Sequence, residues 1–327
     1  MKGVKILLVS IVSLFLMEGT IRLSGIYQTY AEANFNRYEE AYGQTWSIDY
    51  FKQRSDSIIY KQNEFEFACP CNTLGFRDTK AFNTPSKDKF RVLFLGDSFT
   101  EGVGASCGNT MPEVFQRLHE DSIEVFNGGV VGSDPFFYLE WHEKYFAQLE
   151  VDQVFIILNN SDISDYIFRG GDERFNLEEQ TAQFKDPPWQ AKLYRFSHLF
   201  RFILHFILNY DFTLLSHSQF EKQSNKAIVS IGERINAWQA TFPNIALHVV
   251  VHPYTFASVK QVPGHDKVPL ILDELDEGIK RINLYPAMSE KINATNYLEY
   301  SWRYDGHFND AGYTLFAEEL LKATMDY

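Results

Sequence analysis

A serine, a histidine and a carboxylate have the types and spacing that best fit catalysis in this chain. Ser98 follows the apolar run 90–95, within the segment Gly-Asp-Ser-Phe-Thr-Glu-Gly. His307 lies near the end of the sequence, two residues after Asp305. A histidine can take the proton of a serine hydroxyl, and a carboxylate can orient that histidine, which together perform acyl transfer. These residues therefore predict a serine nucleophile with a histidine base.

Glycine-rich and polar segments follow two other apolar runs. Residues 127–132 read Asn-Gly-Gly-Val-Val-Gly, a loop whose backbone N–H groups can stabilise an anion. Residues 159–165 read Asn-Asn-Ser-Asp-Ile-Ser-Asp and come directly after the apolar run 151–158. Both segments are candidates for a reactive cleft.

The alternation of strands and helices predicts how these segments come together. Buried strands are predicted at 90–95, 123–126, 151–158 and 245–251. Helices are predicted after the capping box at Thr110, after Asp134-Pro135, over about 221–240 and from Asn309-Asp310 onward. Such alternation predicts an α/β fold, a three-layer α/β/α sandwich whose parallel sheet is covered on both faces. Reactive groups then gather at the carboxyl ends of the strands.

In their order and approximate spacing, these segments resemble the motifs of the SGNH/GDSL hydrolase family, in its membrane-anchored bacterial type. The first motif is close to complete, with Gly96-Asp97-Ser98 followed by Thr100 and Gly102. The resemblance is good over about 75–165 and 300–316 and poor over 166–290. It implies the SGNH-hydrolase-like fold for this chain.

The resemblance also implies roles for individual residues. Ser98 corresponds to the nucleophile, and its backbone N–H and that of Gly132 correspond to oxyanion donors. His307 corresponds to the general base, followed by the Asn309 and Gly312 often seen in the family.

The sequence departs from the family pattern at the acid. The family's acid lies three residues before the histidine, where this chain has Tyr304, whereas Asp305 lies two before. Gly306 permits an unusual turn that can still bring the Asp305 carboxylate to the imidazole. Asp305 is therefore the predicted third member of the triad.

The third motif departs as well, because Ser161 precedes Asp162 where the family has asparagine. The side-chain donor to the oxyanion must then be Asn160 or Asn159, or be absent; we assign Asn160. Asp162 and Asp165 could form a metal pair, but no His or Cys lies nearby at ligand spacing, which favours helix capping. No metal and no cofactor are predicted.

The predicted function is hydrolysis of a short acyl ester of an envelope glycan or lipid through Ser98, His307 and Asp305. An O-acyltransferase that passes the acyl group to a polysaccharide hydroxyl would use the same triad. A catalytically inactive binding or scaffold protein of this fold is a third possibility, since the third motif is altered.

The N-terminus predicts a membrane anchor. Lys2 and Lys5 precede the apolar run 6–17, and Glu18 and Arg22 are spaced to pair one turn apart on a helix. Leu23, Ile26 and Tyr27 extend the apolar face. An uncleaved signal anchor is favoured over a cleaved signal peptide and over a buried helix, and the basic start predicts that the remainder faces the periplasm or cell exterior. The predicted organisation is an anchor over 1–27, a connecting region over 28–88 and a hydrolase-like domain over 89–327, with a helical insertion at about 166–225.

The charge composition indicates which classes of binding partner this chain does not favour. Thirty basic and 43 acidic residues give a net charge of −13, which argues against nucleic acid and against attraction to anionic lipid. Cys69 and Cys71 are too close for a relaxed mutual disulfide, so either a bridge from one of them to Cys107 or free thiols remain. The stretch from Trp189 to Tyr210 is apolar on one broad face, either as a core or lid helix or as a surface that contacts a membrane or an acyl chain. Core or loop roles are favoured for His248 and His252.

Overall fold

The computed structural model describes residues 2–25, 43–54, 57–80, 89–120, 122–210, 214–253 and 267–325. Ile26 and Tyr27, and much of the predicted connecting region, lie outside these ranges. The chain divides into two compact units. The first unit comprises Met1–Ser47 and Ile167–Asn225, and the second comprises Ile48–Tyr166 and Lys226–Tyr327.

Strands and helices are numbered here along the chain. The strands are β1 (Thr45–Ser47), β2 (Ser57–Lys61), β3 (Glu66–Pro70), β4 (Phe90–Gly96), β5 (Ile123–Gly129), β6 (Gln153–Leu158), β7 (Phe175–Asn176), β8 (Thr181–Gln183), β9 (Ala246–Val251) and β10 (Lys280–Asn283). The α-helices are α1 (Lys2–Ser24), α2 (Ser98–Glu101), α3 (Met111–Leu118), α4 (Pro135–Trp141), α5 (Asn160–Arg169), α6 (Gln190–Phe196), α7 (His198–Phe202), α8 (His217–Thr241), α9 (Tyr285–Lys291), α10 (Tyr297–Tyr300) and α11 (Asp310–Met325). Short 3₁₀ segments cover Tyr50–Gln53, Ala147–Leu149, Asp172–Arg174 and Val268–Glu274, and π-helical turns cover His142–Phe146 and Ile203–Ile207.

A parallel sheet of five strands forms the centre of the second unit. Its order is β10-β9-β6-β4-β5, and every neighbouring pair is parallel. The predicted parallel sheet is confirmed, and all four predicted strands are present. The edge strand β10 was not predicted, because only Ile282 of its four residues is buried and no apolar run marks it. The carboxyl ends of β4, β5 and β6 lie side by side, where the candidate catalytic segments begin.

Helices flank both faces of the sheet, as the alternation predicted. On one face Phe94 of β4 contacts Phe115 of α3 with ring centroids 5.3 Å apart, and Phe316 of α11 joins the same core cluster. Leu95 points to the opposite face, which α4 and the π turn that extends it cover. Both faces are buried, so β4 carries a continuous apolar run over 92–95 rather than an alternating pattern.

An antiparallel hairpin of β2 and β3 also belongs to the second unit. Alternate residues of β2 are buried, among them Ile58 and Tyr60, and Cys69 of β3 is buried with them. This hairpin lies within 28–88 and was not predicted. It carries several side chains that support the candidate site.

The first unit contains α1, a small antiparallel sheet in the order β1-β8-β7, and α6 and α7. Tyr194, Leu204 and Leu214 form a buried cluster against which Ile21 of α1 packs. The predicted N-terminal apolar helix is confirmed. Within it Val4–Ser24 is long and apolar enough to cross a membrane, with a mean hydropathy of 2.0, a test that signal sequences also pass.

Candidate active site

Ser98 is the first residue of α2 and follows the carboxyl end of β4. The Asp97 side chain caps this short helix by accepting the backbone N–H of Phe99 at 2.9 Å. The end of β5 approaches α2 so closely that a Cβ on Gly129 would lie 2.1 Å from the Glu101 nitrogen. Glycine at this position therefore lets the loop after β5 lie beside Ser98.

His307 connects Ser98 to Asp305. Its Nε2 lies 2.8 Å from the Ser98 Oγ, and its Nδ1 lies 2.5 Å from the Asp305 Oδ1. Gly306 between the acid and the histidine has φ of +86°, a conformation that side-chain-bearing residues rarely adopt. This turn brings a carboxylate only two positions away back to the imidazole. Ser98 is 4% exposed and His307 8% exposed.

The Glu64 carboxylate fixes the loop that carries the acid. Glu64 lies between β2 and β3 and accepts the backbone N–H groups of Arg303, Tyr304 and Asp305 at 3.0, 2.7 and 3.2 Å. Three donors converge on one carboxylate, and charged acceptors form stronger hydrogen bonds than neutral ones. The hairpin thus holds the main chain on which Asp305 stands.

The same hairpin is tied to the loop that follows α2. Of the cysteine states left open by the sequence, the structure has the Cys69–Cys107 disulfide, in which Cys71 takes no part. The buried Arg77 guanidinium donates to the carbonyl oxygens of Gly102 and Ala105 at 2.5 and 2.9 Å. A covalent bond and a buried cation therefore fix the chain just after the candidate nucleophile.

The loop that contains Gly132 is fixed by hydrogen bonds to the backbone N–H and the carbonyl oxygen of the neighbouring Val131. The Val131 N–H donates to the Glu101 carboxylate, and its carbonyl accepts the Tyr50 hydroxyl at 2.8 Å. Gly132 has φ of +75°, so a glycine suits the turn that follows. These contacts orient the loop whose N–H groups are candidate oxyanion donors.

Glu101 is fully buried and bonded on several sides. It accepts the Tyr60 hydroxyl at 2.5 Å and the Arg54 guanidinium at 3.1 Å, besides the Val131 N–H. Burial, and then the adjacent Glu101 carboxylate, raises the pKa of the Tyr60 hydroxyl, so Tyr60 stays protonated and donates. Glu101 was not predicted as a site residue, although it lies three residues after Ser98 in the same motif.

The asparagines after β6 differ in their surroundings. Asn159 is fully buried, and its Nδ2 donates to the Asp97 Oδ2 at 2.9 Å. The Ser161 hydroxyl donates to the same Asp97 oxygen at 3.0 Å. Asn160 is the first residue of α5 and half-buried, and within the described ranges its Oδ1 has no hydrogen-bond partner. Asn159 therefore orients Asp97, while the side chain of Asn160 has no such structural bond.

Asp162 lies in the first turn of α5 and helps to cap it. Its Oδ2 accepts the Asn159 backbone N–H at 2.8 Å, and Tyr138 lies 3.4 Å from its Oδ1. Burial, and then the nearby Asp97, raises the pKa of Asp162 well above its usual value. Among the residues that the structure describes, no group of three His, Cys, Asp or Glu side chains could hold a metal ion.

His252 and His248 are core residues. The His252 ring lies between Phe99 and Phe316, with centroids 5.0 and 4.6 Å away, and burial lowers its pKa to about 4. His248 lies 3.0 Å from the Gln153 amide, and burial lowers its pKa to about 4 as well. Neither takes part in the Ser98–His307–Asp305 chain of hydrogen bonds.

Neither a protein-family model nor a curated protein sequence matches this chain. Similar solved structures include a two-domain esterase active on acetylated mannans, with 14% identity, a TM-score of 0.44, and 73% of this chain aligned to 49% of that one. A lipase/acylhydrolase from Enterococcus faecalis has 12% identity and a TM-score of 0.43, over 72% of this chain and 94% of its own. A putative acylhydrolase from Bacteroides fragilis has 16% identity and a TM-score of 0.41, over 75% and 91%. This chain thus spans about half of the two-domain esterase, and we base its function on the geometry of the site.

Proposed function

We propose that this chain is a serine ester hydrolase with Ser98 as nucleophile, His307 as general base and Asp305 as the residue that orients the base. The continuous hydrogen bonding from Ser98 Oγ to His307 Nε2, at 2.8 Å, and from His307 Nδ1 to Asp305, at 2.5 Å, is the observation that carries the proposal. Nucleophile, base and orienting group in one hydrogen-bonded line are the arrangement that acyl transfer requires.

The reaction has two halves. His307 takes the proton of Ser98 as Oγ attacks the ester carbonyl, and the resulting imidazolium gives that proton to the departing alcohol. Water then attacks the acyl-serine, with His307 again as base, and releases the acid and free Ser98. Asp305 holds the imidazole in the tautomer whose Nε2 accepts and stabilises its charged form.

Backbone N–H groups of Ser98 and Gly132 and the side-chain amide of Asn160 are the proposed oxyanion donors. Asn160 is favoured over Asn159 because the Asn159 amide already donates to Asp97. Each donor of this kind contributes about 3 kcal/mol to transition-state stabilisation. Asn160→Ala should therefore lower kcat roughly 100-fold with little change in KM, whereas a loss on Asn159→Ala alone would move the role to Asn159.

A short acyl group on an envelope glycan or lipid is the proposed substrate. The low exposure of Ser98 and His307 restricts the approach to the hydroxyl, which favours a small group on the reacting carbonyl. Two observations support a location outside the cytoplasm: the apolar helix α1 and the Cys69–Cys107 disulfide, a bond typical of oxidising compartments. We propose that α1 tethers the chain to the membrane with the catalytic unit in the periplasm or outside the cell.

Hydrolysis of p-nitrophenyl acetate by the full chain tests the reaction. Ser98→Ala and His307→Ala should each lower kcat by roughly 10⁴-fold or more, and Asp305→Asn should leave a small residue of activity. Ser122→Ala, at an exposed serine of the same unit, is the control and should leave the rate unchanged. Full activity of Ser98→Ala would exclude the proposed hydrolase, and transfer of the acetyl group to an added sugar in preference to water would favour an acyltransferase.

A further inference from the structure

Glu18 lies near the end of the candidate membrane span, yet its carboxylate is bound by the protein. It accepts the Ser197 hydroxyl and the Leu199 N–H, both at 2.8 Å, and the His198 N–H at 3.0 Å. These donors lie at the amino-terminal end of α7, where unpaired N–H groups and the helix dipole favour an anion. α1 and α7 therefore meet at Glu18.

Arg22 completes this junction one turn further along α1. Its guanidinium donates to Glu18 at 2.9 Å and to the Phe196 carbonyl oxygen at 2.9 Å. The charges of Glu18 and Arg22 are therefore satisfied by each other and by the chain around residues 196–199.

The length of the apolar part of α1 sets the depth of the junction. Residues 4–17 precede Glu18 and are exposed all round. They extend roughly 21 Å as a helix, which is less than the roughly 30 Å of a hydrocarbon core. If α1 spans a bilayer with Val4 at one boundary, Glu18 lies about 9 Å inside the opposite boundary, within the depth that interfacial helices reach, and its bonds hold residues 197–199 at the same depth.

Large apolar side chains are exposed on and just before α6, and on and just after the π turn that follows α7. Each is at least 49% exposed, and we call this set the apolar platform: Trp189, Leu193, Phe196, Phe206, Ile207 and Leu208. The helix His198–Ile207 is apolar over ten residues, too short to span a membrane. Exposed apolar groups at this density mark an interaction surface.

Two polar side chains of this segment, Arg201 of α7 and His205 of the π turn, are bonded to protein groups. The Arg201 guanidinium donates to the carbonyl oxygens of Tyr194 and Arg195 at 2.6 and 3.0 Å. His205 is bonded to the Tyr194 hydroxyl at 2.7 Å and to the Tyr210 carbonyl oxygen at 2.8 Å. Lys192 and Arg195 of α6 are exposed beside the apolar platform, where long cationic side chains can reach lipid headgroups.

We propose that the apolar platform lies in the bilayer, at the boundary between headgroups and hydrocarbon, beside a retained α1. These contacts favour the bilayer as the occupant, because Glu18 and Arg22 join the segment that carries the platform to the helix that is apolar enough to span. Attraction is apolar rather than electrostatic, in keeping with the net charge of −13. Removal of α1 by a signal peptidase would take away the carboxylate that caps α7, so α1 acts as an anchor. Ester hydrolysis plays no part in this inference.

Quenching of tryptophan emission by lipid locates the platform. The full chain is placed in phosphatidylcholine vesicles whose acyl chains do or do not carry bromine, in the Trp189→Phe background. The emission that Ile207→Trp adds should fall by about half in brominated vesicles, since interfacial aromatic rings contact acyl chains. The control is Leu177→Trp, at an apolar residue 52% exposed beside Glu178 and Glu179 in the same unit, which should lose almost none. The emission of the native Trp189 is the emission of wild type minus that of Trp189→Phe. Brominated vesicles should quench it to the same extent as the emission of Ile207→Trp.

Three results would overturn the inference. One is the absence of quenching at both position 207 and Trp189, which would leave a second copy of the chain or a protein partner to cover the platform. Another is equal quenching at position 177, which would mean that lipid contact is not confined to the platform. The third is an intact mass of membrane-extracted protein that lacks residues 4–18, which would make α1 a cleaved signal.

Discussion

The Glu64 Oε2 accepts the backbone N–H of Asp305 at 3.2 Å, although the two residues are 241 positions apart. The same carboxylate holds the N–H groups of Arg303 and Tyr304. A hairpin early in the chain thereby fixes the loop that carries the proposed acid, and through Cys69 it also fixes the loop after the proposed nucleophile. The loop that carries Asp305 and the loop after Ser98 therefore both depend on the hairpin of β2 and β3.

Glu64→Ala should lower kcat of ester hydrolysis roughly 10–100-fold, because three N–H groups lose their acceptor and a misplaced acid orients His307 poorly. The matched control is Glu66→Ala, on the same hairpin, whose side chain is 61% exposed and pairs with Lys61. The measurement is steady-state kinetics on p-nitrophenyl acetate. Equal rates for the two variants would mean that the Glu64 contacts do not position the acid.

Glu101→Gln should lower kcat roughly tenfold with little change in KM. The carboxylate accepts from Val131, Tyr60 and Arg54, and a glutamine amide would present N–H groups to one of these donors. The N–H of Gly132 would then shift from the oxyanion, which forms only in the transition state. An exposed change, Glu277→Gln, serves as the control. A rise in KM at constant kcat would instead indicate a role in ground-state binding.

The residues of the proposed triad could be singled out from sequence because each lies in a short local motif. Ser98 follows an apolar strand between glycines, and Asp305, Gly306 and His307 are consecutive. Reactive groups gather at the carboxyl ends of parallel strands, and the order of the motifs along the chain then predicted that both lie at one edge of the sheet. The hydrogen bonds that join them could not be predicted from sequence, because they depend on the turn at Gly306, whose φ is +86°.

The supports of the site could not be predicted in the same way. Glu64, Cys69 and Arg77 act over long sequence separations, and no local pattern states which loop each one contacts. The alternation in β2, where Ile58 and Tyr60 are buried between exposed neighbours, was a readable sign of a strand. Its five residues are too few to stand out within a polar, Tyr-rich region.

The double variant Cys69→Ala, Cys107→Ala should lower the free energy of unfolding by about 2–4 kcal/mol, because the bridge closes a long loop. The cysteines are 38 positions apart and tie β3 to the chain after α2. Denaturant unfolding monitored by circular dichroism measures the change, with Cys71→Ala as the control. A double variant as stable as that control would show that the bridge adds nothing to stability.

His142 should make the second unit less stable at mildly acidic pH. Burial lowers its pKa to about 4, against about 6.5 in an unfolded chain, and its ring packs between Trp238 and Phe242. Between pH 6.5 and 4 the unfolded chain binds a proton that the folded chain excludes, so stability is lost as the pH falls. For this histidine the loss is about 1.4 kcal/mol per pH unit.

Replacing the His142 imidazole by a ring that does not titrate should remove its part of the loss of stability at low pH. Neither His142 nitrogen has a hydrogen-bond partner within the described parts of the chain, so His142→Phe keeps the ring contacts without stranding a donor. Denaturant unfolding at pH 7 and pH 5 should show the variant gaining on wild type as the pH falls. A constant difference between the two proteins at both pH values would mean that folding does not lower the pKa of His142.

Covalent labelling of Ser98 tests the central claim most directly. The full chain is incubated with a fluorophosphonate, which reacts with serines activated by a histidine, and the modified peptide is located by mass spectrometry. We expect modification of wild type at Ser98, none in Ser98→Ala, and greatly slowed modification in His307→Ala, because the base lies 2.8 Å from the hydroxyl. Two results would contradict the account. One is a folded wild-type protein that stays unmodified, and the other is modification of a serine other than Ser98 at equal rates in wild type and in Ser98→Ala.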